Sequence, residues 1–514
     1  MAVAFVVGLV SGLAVLLGYL AFQASVEEKY VHAWGELMGV PVLLVLLAPA
    51  VLVVASFRLR GGRFWRGLGL LVTSLAAGTL LGAVGGATLT PHPSGPWAGG
   101  MMGAAGAILL AFLVLGARSL TSSRGATVIL LATLTAACRP AAEPAPHEAR
   151  VVPLPDSSAV ESVVFLVGDP GMARMETSPV LQRMRQDVET WSERLGPEGE
   201  VRMVVMGDIL YPDGLNPRTA GQWRHDSLRV SSQIRVVGGP AAETADARGL
   251  FLPGNHDWGR EEDWAGARRL VRLQKFLRSW EGEGAGRVEL HPVPGTGGPS
   301  VVDLGEELRL VLLDTAWWLL GREHGEEEEF LSGIREALET AGDRRVVVVA
   351  HHPLETGGPH GLGVDLGSFL GIRLLLKRAG ILLQGLDSRP YSELKSRLLE
   401  IFTEVRRPDV FAGGHEHSLQ IFSSESAGGR RGMVAGSASK VSGVSMAPGM
   451  LFGRSEPGYG TIMALEDGSL HIRLEATPVE FLSCQDAVAE SCIERGIESF
   501  RTVWSETLGW GEGS

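Results

Sequence analysis

Short apolar runs, each followed within a few residues by polar or charged side chains, recur between residues 163 and 417 of the chain. They lie at 163–167, 203–206, 250–252, 346–349 and 410–411, and each is followed by glycine, alanine or proline. Runs of this length with turn residues at their ends predict buried β-strands. Ligands of open α/β sheets bind beyond the carboxyl ends of the strands. The pattern therefore predicts an α/β fold whose strand exits form a site.

The residues after these runs share one property, because most are types that bind metal ions. They are Asp169 after the first run, Asp208 and Tyr211 after the second, Asn255, His256 and Asp257 after the third, His351 and His352 after the fourth, and His415, Glu416 and His417 after the fifth. Unrelated polar caps would rarely coincide at five exits. The sequence therefore predicts one shared metal site.

Helical and strand-like patterns alternate between these runs. Helices are predicted at 179–195, 264–280 and 326–341, and antiparallel strands at 419–422, 433–434, 459–465 and 470–474. The α/β domain is predicted at 161–480 and a C-terminal tail at 481–514. The insertion at 353–409 contains an amphipathic helix at 391–405. It is either a cap packed on the sheet or a basic surface that contacts the bilayer or a lipid substrate.

The first part of the chain has a different pattern. Four apolar stretches of roughly 20 residues, enough to cross a bilayer, lie at 1–22, 37–57, 68–89 and 99–117. Arginines crowd the loop that holds Arg58 to Arg66, and the loop after the fourth stretch. Basic loops stay in the cytoplasm. Residues 1–138 are therefore predicted to be an α-helical transmembrane domain with both ends of the four-helix unit inside.

The segment after Arg124 predicts how the rest of the chain leaves the cytoplasm. Residues 126–137 are apolar but short, like the core of a signal peptide, and they precede Cys138. This arrangement resembles a bacterial lipoprotein signal, although Thr135 stands where leucine is usual. Cys138 is either lipidated or part of a short fifth span or a processed junction. Residues 139–160 form a linker, and the α/β domain is expected to be extracytoplasmic, anchored in a bacterial-type cytoplasmic membrane.

Charge and cysteine content narrow the partners. The chain has 514 residues, a formal net charge of -12 and 3 cysteines. An acidic chain without a basic cluster outside the predicted membrane loops argues against nucleic acid as a partner. Cys484 and Cys492 are close in sequence and are candidates for a disulfide in an oxidising compartment. The oligomeric state is not indicated.

The strand exits carry a family resemblance. Their motifs are Asp169-Pro170-Gly171, Gly207-Asp208 with Tyr211, Gly254-Asn255-His256-Asp257, Val348-Val349-Ala350-His351 and Gly414-His415-Glu416-His417. In this order they resemble the calcineurin-like metallophosphoesterases, over residues 162–474. Because the second motif contains a tyrosine, it resembles that of the purple acid phosphatases, a type that includes tartrate-resistant acid phosphatase. The resemblance implies a four-layer α/β/β/α sandwich.

The resemblance also implies two metal ions. The first would be bound by Asp169, Asp208, Tyr211 and His417, and the second by Asp208, Asn255, His351 and His415. A phenolate and two carboxylates favour Fe(III), whereas the second set suits a divalent ion such as Fe, Zn or Mn. We choose His351 over His352 because His351 matches the family's Val-x-x-His motif.

Three further residues are candidates for catalysis. His256 matches the family histidine that contacts the substrate phosphate and assists the leaving group, and Asp257 would orient it. His360 lies where purple acid phosphatases often carry another histidine, although a histidine in a mobile glycine-rich loop fits the sequence nearly as well.

The resemblance implies a phosphoesterase that hydrolyses phosphomonoesters by attack of a metal-bound hydroxide. The substrate would be a phosphorylated small molecule or lipid. One alternative is a phosphodiesterase acting on nucleotides or lipid head groups. Another is a membrane sensor that binds a phosphorylated ligand without turnover, but a sensor has no need for a full ligand set.

Overall fold

The computed structural model describes residues 148–509, with gaps at 218, 241–243, 260–263, 322–324, 361–385, 387, 424 and 485–488. The predicted transmembrane segments, the signal-like segment and Cys138 lie outside the described residues. Within the described part, no helix has both the length and the hydropathy that a membrane span needs.

The described residues form two seven-stranded sheets with helices between the strands. The strands are β1 Val160–Val167, β2 Glu200–Met206, β3 Asp246–Leu252, β4 Val288–Leu290, β5 Ser300–Leu304, β6 Leu308–Leu313, β7 Arg345–Ala350, β8 Val410–Gly413, β9 Leu419–Phe422, β10 Arg431–Ala435, β11 Met450–Arg454, β12 Gly458–Leu465, β13 Leu470–Ala476 and β14 Arg501–Leu508. The helices are α1 Pro179–Leu195, α2 Ala220–Ile234, α3 Asn255–Trp258, α4 Trp264–Ser279, α5 Glu327–Glu339, α6 Arg389–Glu404 and α7 Ala489–Glu498.

Each sheet combines a parallel part with antiparallel edges. The first sheet has the order β14-β13-β12-β1-β2-β3-β4, and the second β11-β9-β10-β8-β7-β6-β5. Strands β1 to β4 pair in parallel in the first sheet, and β6, β7, β8 and β10 in the second. Because parallel strands have their carboxyl ends at one edge, each sheet brings several strand exits together.

The apolar residues of the strands form two layers. Successive side chains of a strand point to opposite faces, so Val164 and Leu166 of β1 pack with side chains of the second sheet, such as Val347. Val163 and Phe165 point away and pack with helix residues. The mixed α/β class and the two packed sheets with outer helices are thus as predicted.

Local sequence explains where the principal helices begin. Helix α1 starts at Pro179, and the hydroxyl of Ser178 accepts a hydrogen bond from the Leu181 amide at 3.3 Å. Helix α6 begins in the same way after Ser388. A hydroxyl cap with proline in the first turn is a common helix start, because proline needs no amide partner there. In the predicted insertion, α6 packs Phe402 against Phe411 of β8, with ring centroids 6.3 Å apart.

The C-terminal segment differs from the prediction. Residues 481–514 were expected to be a tail, but β14 pairs with β13 at the edge of the first sheet. Val503 and Trp504 are buried in the layer between the sheets. Cys484 and Cys492 form a disulfide with Cα atoms 5.7 Å apart. The apolar signal of β14 is too short and mixed to identify the strand from sequence, because its partner strand determines its burial.

Candidate metal centre

The strand exits of both sheets meet at one place. The first sheet supplies Asp169 after β1, Asp208 and Tyr211 after β2, and Asn255 after β3. The second sheet supplies His351 after β7, and His415 and His417 after β8. All seven side chains are at most 4% exposed. All the predicted oxygen donors therefore come from the first sheet, and all the predicted nitrogen donors from the second.

Backbone conformation distinguishes four of these residues. Among the described non-glycine residues, only Asp169, Asp208, His415 and His417 have positive φ, at 61°, 53°, 68° and 46°. Side chains other than glycine rarely adopt this left-handed region. Strained backbone of this kind clusters at functional sites, where the surrounding structure holds it in place. Every such residue in the described chain is a predicted metal ligand.

Two glycines allow the strand exits to approach one another. A Cβ atom on Gly254 would lie 2.3 Å from the Asp208 carboxylate oxygen Oδ1. A Cβ atom on Gly207, where φ is 84°, would lie 2.4 Å from His351 Nδ1. Any side chain at either position would push these donors apart, so the glycines of both motifs are needed for close contact.

We call Asp169, Tyr211 and His417, together with Asp208, the carboxylate half of the centre. The Tyr211 hydroxyl donates to Asp169 Oδ1 at 2.9 Å and lies 3.2 Å from His417 Nε2. His417 Nε2 is 3.4 Å from the same Asp169 oxygen. The other oxygen of Asp169 accepts the His415 amide at 2.7 Å. These contacts place three donor atoms around one point.

The two carboxyl groups titrate in opposite directions. Burial and the charge of Asp208 raise the pKa of Asp169 well above its usual range. Burial also acts against ionisation of Asp208, but the neighbouring imidazoles of His351 and His256 outweigh it and lower the pKa of Asp208. Burial and both carboxylates raise the pKa of the Tyr211 phenol. Without a cation, the protein alone therefore favours ionisation of Asp208 only.

We call Asn255, His351 and His415, together with Asp208, the imidazole half. His351 Nδ1 lies 2.8 Å from the Met206 carbonyl oxygen, which can only accept, so Nδ1 carries a hydrogen and Nε2 is the nitrogen that can bind a metal ion. His351 Nε2 lies 2.9 Å from the Asn255 amide oxygen and 3.5 Å from Asp208 Oδ1. His415 Nδ1 is 3.1 Å from His351 Nε2.

Nitrogen and oxygen atoms packed this closely in a buried site need a hydrogen or a cation between them. Burial lowers the pKa of His415 well below its usual range, so its imidazole is neutral, as a metal ligand must be. His415 Nε2 is buried and has no hydrogen-bond partner in the described part of the chain. The groups Asp169, Asp208, His417 and His351, His352, His415 each hold their ligand atoms within 4.8 Å. The donor set therefore fits metal ions in both halves.

His256 lies beside the centre, but Asp257 does not orient its ring as predicted. His256 Nδ1 is 2.5 Å from the Pro212 carbonyl oxygen, which fixes the hydrogen on Nδ1 and leaves Nε2 4.0 Å from Asp208 Oδ2. Asp257 instead accepts the backbone amides of Ile209, Leu210 and Gly254 at 2.8 to 3.0 Å. The Asp257 carboxylate therefore joins the loop after β2 to the loop after β3, because it accepts amides from both.

His360 lies on the other side of the centre. Its ring centroid is 4.3 Å from that of His415 and 6.0 Å from that of His417. His360 Nδ1 is 3.5 Å from Glu416 Oε2, and that oxygen also accepts the His360 amide at 3.3 Å. Glu416, a fully buried carboxylate between two predicted ligands, is a contact that sequence reasoning did not assign.

Sequence reasoning also missed Lys440 and set His352 aside. The Lys440 ammonium lies 3.2 Å from the centroid of the Tyr211 ring, and the residue is only 5% exposed. Burial lowers the pKa of His256 and the Lys440 charge adds to that lowering, whereas at Asp169 the same charge opposes the larger effect of burial, which raises the pKa. The available signal was its position five residues after β10, a sixth strand exit. His352 is fully buried, with its ring 4.5 Å from that of His415.

No protein-family model matches the chain, and no curated protein matches it significantly. Among solved structures, it is similar to GAP50, the anchor in the inner membrane complex of Plasmodium, with a TM-score of 0.43, 15% identity, and coverage of 68% of this chain and 89% of that chain. It is also similar to purple acid phosphatase PPD1 from seeds of yellow lupin (Lupinus luteus), with a TM-score of 0.40, 15% identity, and coverage of 71% and 55%.

Proposed function

We propose that this chain is a metallophosphoesterase with two metal ions that hydrolyses phosphomonoesters. One observation carries the proposal. Seven predicted ligands from five strand exits converge on one buried place, and four of them have left-handed backbone. Such strain persists only where the surroundings enforce it, and a metal centre gives these facing donors a common partner. We assign Fe(III) to the carboxylate half and a divalent ion, Fe, Zn or Mn, to the imidazole half.

Each residue then has a defined task. Two bound ions supply Lewis acidity and positive charge for the phosphoryl group. Asp208 contributes to both halves and fixes their spacing. His256, held by the Pro212 carbonyl, presents Nε2 beside Asp208 and can carry a proton to the leaving oxygen when that nitrogen is protonated. Lys440 adds a buried positive charge next to the two carboxyl groups.

Turnover and metal content of the purified full-length protein test this function. We expect hydrolysis of an aryl phosphomonoester, loss of activity on chelation, and about two bound ions per chain. An aryl phosphodiester measured in parallel separates the two phosphoesterase classes. Stoichiometric metal and phosphate binding without turnover of either substrate would instead establish a sensor.

We further propose that the catalytic domain is held at a membrane and faces away from the cytoplasm. The four apolar stretches of the sequence support the anchor. The disulfide between Cys484 and Cys492 supports an oxidising compartment. A periplasmic reporter fused near Ser157 should be active, and one fused near Arg63 inactive. The reverse pattern would refute the orientation, and loss of a metabolic lipid label in Cys138→Ser would identify lipidation.

A further inference from the structure

A second histidine adjoins the imidazole half. His352 follows His351 at the exit of β7 and is fully buried. Its ring centroid lies 4.8 Å from that of His351 and 4.5 Å from that of His415. Adjacent residues usually point apart, but the chain turns after β7 and both rings reach the same place.

The two nitrogens of His352 have different surroundings. Nδ1 lies 2.8 Å from the Thr315 hydroxyl oxygen, and that oxygen accepts a hydrogen bond from the His352 amide at 3.2 Å. Nε2 is buried and finds no hydrogen-bond partner among the residues that the structure describes. One ring nitrogen hydrogen-bonded to an oxygen, with the other nitrogen facing the site without a protein partner, is the usual arrangement of a metal-binding histidine. His351 has the same arrangement, with the Met206 carbonyl in place of Thr315.

The distances between ligand atoms agree with a shared ion. One ligand atom from each of His351, His352 and His415 lies within 4.8 Å of the other two. Nitrogens bound at about 2.1 Å from one ion lie at most about 4.2 Å apart. Three nitrogens bound tetrahedrally at that distance lie about 3.4 Å apart. The three ligand atoms must therefore approach one another by at most about 1.4 Å when an ion binds.

We propose that His352 is a further ligand of the ion in the imidazole half. This inference rests on the proposed metal centre and adds a third imidazole to it. The half would then present three nitrogens beside Asn255 and Asp208. Imidazole suits Zn, Fe and Cu, whereas oxygen donors suit Mn and Mg. The added ligand therefore makes the half selective for Zn²⁺ or Fe²⁺ over Mn²⁺.

Metal binding by the full-length apoprotein tests the assignment without relying on activity. Co²⁺ titrations followed by visible absorption give affinity and ligand field, and parallel Zn²⁺ and Mn²⁺ titrations give selectivity. In His352→Phe, we expect the Co²⁺ ion of the imidazole half to bind more than about 100-fold less tightly. Its visible spectrum should change, and the preference of this half for Zn²⁺ over Mn²⁺ should be smaller. Thr315→Val should weaken binding by about 10–100-fold, the usual effect of removing a ligand's supporting partner.

His471→Phe is a matched control. His471 is also buried, and its Nδ1 lies 3.1 Å from the hydroxyl of Thr507, but it belongs to β13 away from the centre. This control should leave Co²⁺ binding unchanged. Melting of the apoprotein separates ligation from packing, because loss of a ligand should reduce only the stabilisation that metal adds. His352→Gln repeats the measurement with a smaller side chain if the phenylalanine variant does not fold.

Two results would overturn the inference. Unchanged Co²⁺ affinity and spectrum in both His352 variants would exclude ligation. An apoprotein melting temperature that falls as far as that of the loaded protein would assign His352 a packing role. Wild-type protein that binds no metal at all would overturn the proposed function as well. If wild type and both His352 variants each bind two ions with the same affinities, only this inference is overturned.

Discussion

The carboxylate half and the imidazole half share Asp208 but differ in charge and origin. Asp169 and Tyr211 of the carboxylate half come from the first sheet, whereas His351 and His415 of the imidazole half come from the second. The carboxylate half has two carboxyl groups and a phenol, and the imidazole half has two imidazoles and an amide oxygen beside the shared carboxyl group. Neither sheet alone supplies a complete site. The comparison shows that packing of the sheets determines the metal chemistry.

The largest expected effect comes from the residue that the halves share. Asp208→Asn should lose both ions together. Turnover should fall by more than it does when a single positioned acid is removed, which typically costs about 10²–10⁴-fold. Metal analysis and aryl phosphate hydrolysis measure the two losses. Asp343→Asn, an exposed aspartate in a turn, is the control and should change neither. Retention of one ion by Asp208→Asn would mean that the halves are independent.

A residue outside both halves sharpens the comparison. His256→Ala should retain both ions yet reduce turnover by about 10²–10⁴-fold, because it removes a proton donor and no ligand. The loss should be largest for alkyl phosphates and smaller for aryl phosphates whose leaving groups need no proton. Equal losses for all substrates, or an empty metal centre, would contradict the leaving-group role and favour His360.

Tyr211 tests the character of the carboxylate half alone. Tyr211→Phe should abolish a visible phenolate-to-iron absorption band and reduce the affinity for the trivalent ion, while the divalent ion stays bound. The phenylalanine ring keeps the face that packs against Lys440, so the fold should be preserved. An active, colourless wild type that contains only zinc or manganese would exclude iron in this half.

The smallest expected effect concerns the strand exit behind the imidazole half. Burial raises the pKa of Asp314 to about 7. The folded protein therefore holds a proton that the unfolded chain releases near pH 4. The resulting stability is present below pH 4 and decreases as the pH rises towards 7.

Urea unfolding of the metal-free protein at pH 5 and pH 7 measures this contribution. Wild type should lose about 2 kcal/mol of unfolding free energy over this interval from Asp314, and Asp314→Asn should lack that component. The variant also loses one acceptor, since Asp314 accepts from Trp258 and from the Trp317 amide. The lost acceptor shifts the variant's free energy of unfolding by the same amount at both pH values, so the test is the slope with pH, which should be smaller. An unchanged slope would show that Asp314 ionises normally in the folded protein.

Sequence by itself determined the parallel strands and the types of residue at their ends. Val163 to Val167 and the other apolar runs are buried from both sides, so their composition alone identifies them. The glycine-bounded exits identified Asp169, Asp208 and His415 as donors, and these side chains meet in the structure. These signals are local, because each strand and its following turn are adjacent in the chain.

Tertiary structure decided which distant groups face one another. Pro212 rather than Asp257 holds the His256 ring, and His352 turns into the centre beside His351. Strand β14 joins the first sheet because β13 offers an open edge. These features depend on contacts between segments far apart in sequence, and on left-handed backbone that only the packed sheets maintain. No local pattern of hydrophobic and polar residues records such contacts.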